Sequence, residues 1–480
     1  MPSAPDPARR GDPHKPRRFP WANRALVALA TAVGLGGCAA PGSKPLLPAE
    51  TQSRFDARRL DDADLRHFLA AHGQPAAGEW DLDRLTLAAF HFQPRLDQAR
   101  ARLAEAEAAA RAAGELPNPT FTFTPGYNTE AGAGVSPWIL GYALNLPIEL
   151  AGKRGHRLAS AQHQIEAARL ALASEAWAVR RAVRRALLEV RSADRLALLW
   201  RDLLPSYRDV AALVERQVSA GETAPLEASQ ARLALQQAET AARAHEAALV
   251  TARSQLAEAI GVPLAALSGV QFSDRGLAAS GSAPAGAEAR AWAARNRADL
   301  LAELATYAAA HAALQAEAVR TFADLSLGPA YDFDQGEGKW SLALSVTVPL
   351  FHRNQGPIAE ALARRETAAA RFLSRQSQVL AEVDRALAHL AQVPDDLHAA
   401  GQLQQETERL AQRTAVQYRA GEISRLDVLR AQIGLAEHRR AEIDLRLRTE
   451  QAIGDFEDAV QRPLAWPETS WRATSRPRQP

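Results

Sequence analysis

Carboxylates that recur in one register are the side chains of this sequence best placed to do chemistry. Glu222 and Glu422 each follow an Ala-Gly pair, Ala220-Gly221 and Ala420-Gly421, and acids return five positions on as Glu227 and Asp427. Arg425 precedes Asp427 in the second copy alone. Duplicated carboxylates can gather negative charge that favours cations. The same groups can instead cap and solubilise the helix that follows, since acids favour helix N-termini. Other chemistries lack their residues. The twelve histidines form no HExxH and there is no CxxC. His67 and His72, five positions apart on a polar helical stretch, are expected at the surface rather than on a metal. No glycine-rich phosphate loop carries a lysine and no GxSxG turn is present, so neither an enzyme nor a metal or cofactor site is expected.

One cysteine remains, and its setting points to covalent modification. Arg9, Arg10, Lys15, Arg17 and Arg18 form a basic region, Ala25 to Leu35 an apolar core, and Leu35-Gly36-Gly37-Cys38 closes it with small residues. These flanks mark residues 1–37 as a signal peptide rather than a membrane-spanning helix. The closing tetrapeptide resembles the lipobox of bacterial lipoproteins, which implies that Cys38 is acylated, with palmitate among the chains, as the first mature residue. An ordinary signal followed by a free thiol is the alternative. A solitary cysteine cannot form an internal disulfide, which favours lipidation.

These residues sit on a duplicated framework. Residues 161–264 and 361–464 are two copies in one gapless register, 200 positions apart, with Val179, Val183, Leu187 and Val190 opposite Val379, Val383, Leu387 and Leu390. That period is too long for a solenoid, so the copies are two halves of one architecture. Hydrophobic residues are 47% but aromatics only 6%, and alanine, the best helix former, dominates. The charges, 57 basic against 55 acidic, are interspersed along helical faces, which leaves no nucleic-acid footprint.

No segment after the signal reaches 18 uninterrupted apolar residues, so entry into a membrane would have to be as strands. Four stretches alternate with period two: Thr120 to Tyr127, Trp138 to Leu146, Asp324 to Phe333 and Trp340 to Val348. Their apolar positions, expected to face lipid, include Phe121, Phe123, Trp138, Leu140, Tyr142, Leu325, Leu327, Trp340, Leu342, Leu344 and Val346. An amphipathic soluble sheet is the other reading. Polar, glycine-rich loops at 128–136 and 334–338, flanked by Tyr127, Trp138, Phe333 and Trp340, favour the membrane, because such aromatics form interfacial girdles. Four strands cannot close a barrel and lipid tolerates no open edge, so other chains must complete it.

Each strand pair, at 119–147 and 322–349, leads into a long helical hairpin, at 153–261 and 356–461. Gly221 and Gly421 are placed as helix C-caps at the reversals, and Pro205 and Pro394 should kink or interrupt the first helix of each hairpin. One shorter helix, 83–113 or 289–320, precedes each strand pair. The domain plan is therefore a lipid-anchored linker with a short helix at 38–82, a first repeat at 83–264, a linker at 265–288, a second repeat at 289–464 and a tail at 465–480.

With its lipidated N terminus, its two repeats of helix, strand pair and helical hairpin, and its Ala-Gly-Glu tips, the sequence resembles the TolC family of outer-membrane efflux conduits over residues 83–464. PIELAGKRG at 147–155 and PLFHRNQG at 349–356 are similar to the branch serving heavy-metal efflux of the cobalt, zinc and cadmium type. The resemblance implies a mainly α fold with a homotrimeric, twelve-stranded barrel above a periplasmic α-helical tunnel. It further implies an outer-membrane location and work with a periplasmic adaptor (membrane fusion) protein and an inner-membrane, proton-driven RND pump. Ala220, Gly221, Glu222, Ala420, Gly421 and Glu422 would then be the adaptor-docking tips, and Glu227, Arg425 and Asp427 candidates for lining the periplasmic aperture. The expected function is passive export of divalent metal cations, conferring metal resistance. Alternatives are the same conduit for drugs or for type I protein secretion, and, in another class, a lipid-anchored periplasmic coiled-coil scaffold.

Overall fold

The computed structural model describes residues 45–75, 78–277 and 286–464, so the signal peptide, Cys38 and the tail at 465–480 lie outside the described residues. The chain divides into two units, Met1–Phe55 and Asp56–Pro480. Helix α1, Pro48–Asp56, buries none of its residues. The second unit continues with α2 (Ala63–Ala71), α3 (Leu82–Phe92), α4 (Pro94–Ala113), β1 (Thr120–Tyr127), β2 (Trp138–Ile148), α5 (Lys153–Ser219) and α6 (Pro225–Ile260). It repeats the series with α7 (Gly286–Asn296), α8 (Ala298–Val319), β3 (Leu325–Asp334), β4 (Glu337–Val346), α9 (Gln355–Arg419) and α10 (Arg425–Val460).

The expected architecture of long helical hairpins plus four antiparallel strands is present. The long helices α5 and α9 run 67 and 65 residues, about 100 Å each at the α-helical rise. Both start from a left-handed residue, Gly152 (φ 69°) and Asn354 (φ 58°), two residue types that tolerate that conformation. Pro205 and Pro394, expected to kink or interrupt their helices, interrupt neither. A proline forfeits one intrahelical hydrogen bond, and in helices this long the packing on either side outweighs that loss.

Each repeat has its own core. Val179, Val183, Leu187 and Val190 of α5 are buried with Leu65, Leu69, Leu82, Leu85, Leu256 and Ile260. The matching stripe of α9 buries Val379, Val383 and Ala386 against Ala289, Ala293, Phe456, Ala459 and Val460, while Leu387 and Leu390 are only partly covered. The helix expected before each strand pair is in fact two. In the first repeat Gln93 is extended (ψ 115°) ahead of Pro94, as a residue before proline must often be. In the second no proline is present. The break falls at Arg297 (ψ 125°), whose buried guanidinium donates to Asp299, to Glu382 (2.6 Å) and to the carbonyl of Ala459 (2.9 Å). Burial would raise the Asp299 carboxyl, but hydrogen bonds and charge from Arg297 and Arg375 outweigh it and hold it down at about 2.

A buried polar cluster ties the repeats together. Arg184 of α5 donates to Glu457 of α10 and to the Leu277 carbonyl (3.3 Å), and Glu457 also accepts from the Leu464 amide (2.8 Å). Arg180 stands 3.5 Å from the same carboxylate, and Arg185 pairs with Asp455 at 2.6 Å. Adjacent Asp458 is half-buried at the surface yet enclosed by protein. Burial pushes its carboxyl up to about 7 against the charges of Arg181, Arg184, Arg180 and Arg185.

That displacement dictates a pH dependence. The folded state holds the Asp458 proton more tightly than the unfolded chain does, so the contribution of Asp458 to stability is full below about pH 4 and is lost as pH rises through about 7. Asp458→Asn should match the wild type at pH 4 and exceed it at pH 8 by on the order of 1 to 3 kcal/mol. Urea unfolding in detergent, followed by helical circular dichroism at both pH values, measures it, and parallel pH profiles would refute the assignment.

Candidate functional site: the strand face and the hairpin tips

Alternation along four strands has an effect only if their registers agree, and they do. Order is β1-β2-β3-β4, all antiparallel. Phe121 stands opposite Leu144, Phe123 opposite Tyr142 and Tyr127 opposite Trp138. Leu140 meets Phe333, Tyr142 meets Tyr331 and Leu146 meets Leu327. Leu325 meets Val346, Leu327 meets Leu344 and Tyr331 meets Trp340. Directly opposed residues share a face. All eleven residues expected on the apolar face therefore lie on one side of a single sheet, Leu342 among them opposite Pro329.

Phe123, Tyr142, Tyr331 and Trp340 form an aromatic row across all four strands, with successive ring centroids 5.1, 6.4 and 4.8 Å apart. Thr120, Thr122, Thr124, Gly141, Ala143, Ser326, Gly328, Ser341 and Ser345 line the other face. Tyr127, Leu144, Leu146, Tyr331 and Phe333 belong to the apolar face by the same parity. The second loop is shorter than 334–338. It comprises Gln335 and Gly336, both at positive φ (51° and 107°), the two-residue turn that matches the twist of antiparallel strands. β4 accordingly starts at Glu337, and Trp340 sits within the strand rather than at its end.

Trp340, Leu342 and Leu344 are exposed, and β1 and β4 each leave one edge unpaired. An apolar face this large and open marks a contact with lipid or protein. Among the described residues no helix is long and apolar enough to cross a membrane.

The far ends of the hairpins are built alike. Gly221 (φ 76°) and Gly421 (φ 75°) follow the C-cap residues Ala220 and Ala420. Glu222 N donates to Gln217 O (2.8 Å) and Gly221 N to Val218 O (3.0 Å). Glu422 N and Gly421 N repeat the pattern on Gln417 O (2.9 Å) and Tyr418 O (3.1 Å). These paired bonds satisfy carbonyls at the helix end and require a left-handed residue at the glycine. Glu222 and Glu422 are exposed.

The three remaining tip candidates each have a partner. Asp427 forms a capping box with Ser424, accepting from its amide (3.0 Å) and its hydroxyl (2.7 Å). Those hydrogen bonds hold its carboxyl below the usual range. Arg425 of α10 reaches Asp209 of α5 at 3.0 Å, and Arg430 of α10 lies 3.8 Å from Glu227 of α6. The first repeat has Ala224 and Pro225 in place of the capping box. Asp209 and Arg430 carried no sequence signal, because their partners come from the other repeat. All four paired side chains are at least half exposed, so each bond contributes at most about 1 kcal/mol.

His72 and His91 have a local partner in Phe68. His72 Nδ1 lies 2.8 Å from Phe68 O, and the Phe68 ring lies between those of His72 (4.4 Å) and His91 (5.4 Å). Among the described residues no group of three or more His, Cys, Asp or Glu side chains is arranged to hold a metal ion.

Residues 89–262 and 287–455 match the family described as Outer membrane efflux protein. No curated protein matches the chain. Among solved structures, the fold is similar to that of CusC (TM-score 0.63, 19% identity, 79% of this chain and 91% of that one). It is also similar to the outer membrane protein VceC of Vibrio cholerae (0.64, 19%, 80% and 96%) and to the outer-membrane channel OprN (0.66, 20%, 80% and 91%).

A Cβ added at Gly421 would meet no atom within 4 Å, so the only penalty there is backbone strain. Gly421→Ala should cost about 1 kcal/mol and Gly421→Asn less, since asparagine tolerates the left-handed region. Amide hydrogen exchange across the tip reads both, and equal protection in the two variants would show that the turn does not need that conformation.

Proposed function

The chain belongs to the outer membrane efflux protein family, and on that premise we propose that it is the outer-membrane conduit of a tripartite efflux system. The observation that carries this reading is the sheet: four strands in register, one face apolar and open, both edges unpaired. In lipid every backbone amide and carbonyl must be paired within protein, and four strands are too few to curl shut. Three copies would supply twelve, enough for a barrel with an aqueous lumen lined by threonine, serine, alanine and glycine together with Asn145, Asp332 and Lys339. The helical hairpins would extend this lumen through the periplasm as a tunnel some 100 Å long.

The finer parts of the reading rest on separate supports. Acylation of Cys38 would hold the chain at the outer membrane, and the lipobox-like 35–38 supports it. The tips at 220–222 and 420–422, the two places where the long hairpins reverse, would receive a periplasmic adaptor, which couples the conduit to an inner-membrane RND pump. Divalent heavy-metal cations are the proposed cargo, supported by the resemblance of 147–155 and 349–356 to the metal-efflux branch. Of the aperture candidates, Asp427 is engaged by Ser424 and Glu227 stands 3.8 Å from Arg430. Glu222 and Glu422 are the acids left open at the tips.

Lipid and lumen assignments separate in one pair of adjacent substitutions. Leu344→Arg places a charge on the apolar face and should block barrel assembly, at a cost of about 2 to 4 kcal/mol near the bilayer midplane. Ser345→Arg, on the opposite face, should leave the oligomer intact and reduce efflux by narrowing the bore. Native gels and a cobalt, zinc and cadmium resistance assay score both, and identical behaviour would overturn the inside-outside assignment. For the anchor, mass spectrometry of the mature protein should find Cys38 at the N terminus carrying acyl chains. An unmodified Cys38 would remove that part of the proposal.

A further inference from the structure

The polar face of the sheet is neutral along most of its length. On β3 it reads Ser326, Gly328 and Ala330 before it reaches Asp332 and Asp334. On β4 it reads Ser345, Ala343 and Ser341 before Lys339 and Glu337. β1 and β2 place no charged residue on that face. All of its charge is therefore gathered in the last two rows before the hairpin loops, the end of the strands away from the helices.

Within those rows the lysine is committed and one acid is not. Lys339 Nζ lies 2.8 Å from Asp334 Oδ2 and 3.8 Å from Glu337 Oε2, so its ammonium is drawn toward the loop. Asp332 stands opposite Lys339 in the register, yet it makes no hydrogen bond or ion pair among the described residues. Its carboxylate leans instead toward β2, where a Cβ added at Gly141 would come within 3.0 Å of Asp332 Oδ1. A glycine at that position leaves the acid room to lie over the neighbouring strand. Three acids against one lysine leave two negative charges per chain on this face. Asp332 is the one set deepest along the strand.

We propose that this level of the sheet, with Asp332 as its innermost member, is a charge filter at the outer mouth of the conduit that admits small cations and holds back anions. Fixed charge of one sign lining a water-filled bore concentrates mobile ions of the other sign. Three chains would set three Asp332 carboxylates around the bore, with Lys339 trimming the charge of the row above. The reach of the filter is about one Debye length, roughly 8 Å at physiological salt, or some two residues of strand. It acts on the sign of the cargo and does not distinguish one metal from another.

The inference rests on the conduit reading above, and thiol labelling separates the two. Ser341 is the reporter, on the lumen face and diagonal to Asp332 at about 7 to 8 Å. Full-length protein carrying Ser341→Cys, in outer-membrane preparations, is reacted with cationic trimethylammonioethyl and anionic sulfonatoethyl methanethiosulfonate, and both rates are followed by mass shift. Wild-type protein, whose single thiol is Cys38, supplies the background. The ratio of the cationic to the anionic rate cancels access and thiol acidity and reports charge. Divided by the same ratio for mercaptoethanol in solution, it should exceed one. Asp332→Asn in the Ser341→Cys background should lower it about two- to fivefold, and Lys339→Gln should raise it. Leu342→Cys, on the lipid face, should react with neither reagent. A ratio that both charge variants leave unchanged, with Ser341→Cys reactive and Leu342→Cys not, would overturn the filter and leave the conduit standing. A Ser341→Cys that reacts no faster than Leu342→Cys would overturn both.

Discussion

A backbone amide in hydrocarbon has no water to bond to, and the rest of this molecule depends on that constraint. It accounts for the use of strands, since among the described residues no helix could span a bilayer. It also gives the merger of two hairpins into one sheet a physical rationale, because a hairpin left alone would expose two edges where the merged sheet exposes two for four strands. What remains unpaired, one edge of β1 and one of β4, can be satisfied only by another chain or by ring closure, and four strands are too few for closure.

Duplication solves the geometry once and then lets the copies diverge where their surroundings differ. The reversals at Gly221 and Gly421 keep the same hydrogen bonds to within about 0.1 Å, because a left-handed C-cap is a local requirement that both hairpins share. The helix starts beyond them have drifted apart, Pro225 serving one and the Ser424-Asp427 capping box the other. The cores have diverged too. The first repeat packs against α2, α3 and the 264–277 segment, while the second relies on alanines of α7 and on Phe456. The first core is richer in leucine and the second thinner, so the buried Arg184–Glu457 pair bridges two unequal halves. A pair so enclosed is costly to break from either side, because a lone charge would be stranded there.

At the tips the arrangement restrains any simple electrostatic account. Carboxylates that recur in the sequence are paired off in space, Glu227 with Arg430 and Asp427 with its own cap, leaving Glu222 and Glu422 open. Arg425 and Arg430 both project from α10, one to each helix of the first hairpin, so the hairpins are cross-linked near their ends by exposed bonds. Exposed ion pairs of this kind are weak and salt-sensitive.

Much of this was legible in the residues themselves. Period-two alternation placed eleven apolar side chains on one face, and glycine after alanine placed both reversals, because each signal acts within a few residues of itself. The break at Gln93 was equally local, since Pro94 announces it. The break at Arg297 was not: it depends on Glu382 and the Ala459 carbonyl, side by side with it only after α9 and α10 have packed. Arg184 and Glu457 are 273 positions apart, and Arg425 meets Asp209 across the two repeats. In alanine-rich helices with arginine on every face, no pattern says which arginine will meet which acid. That choice is made by which helices lie adjacent, and adjacency is a property of the packed chain.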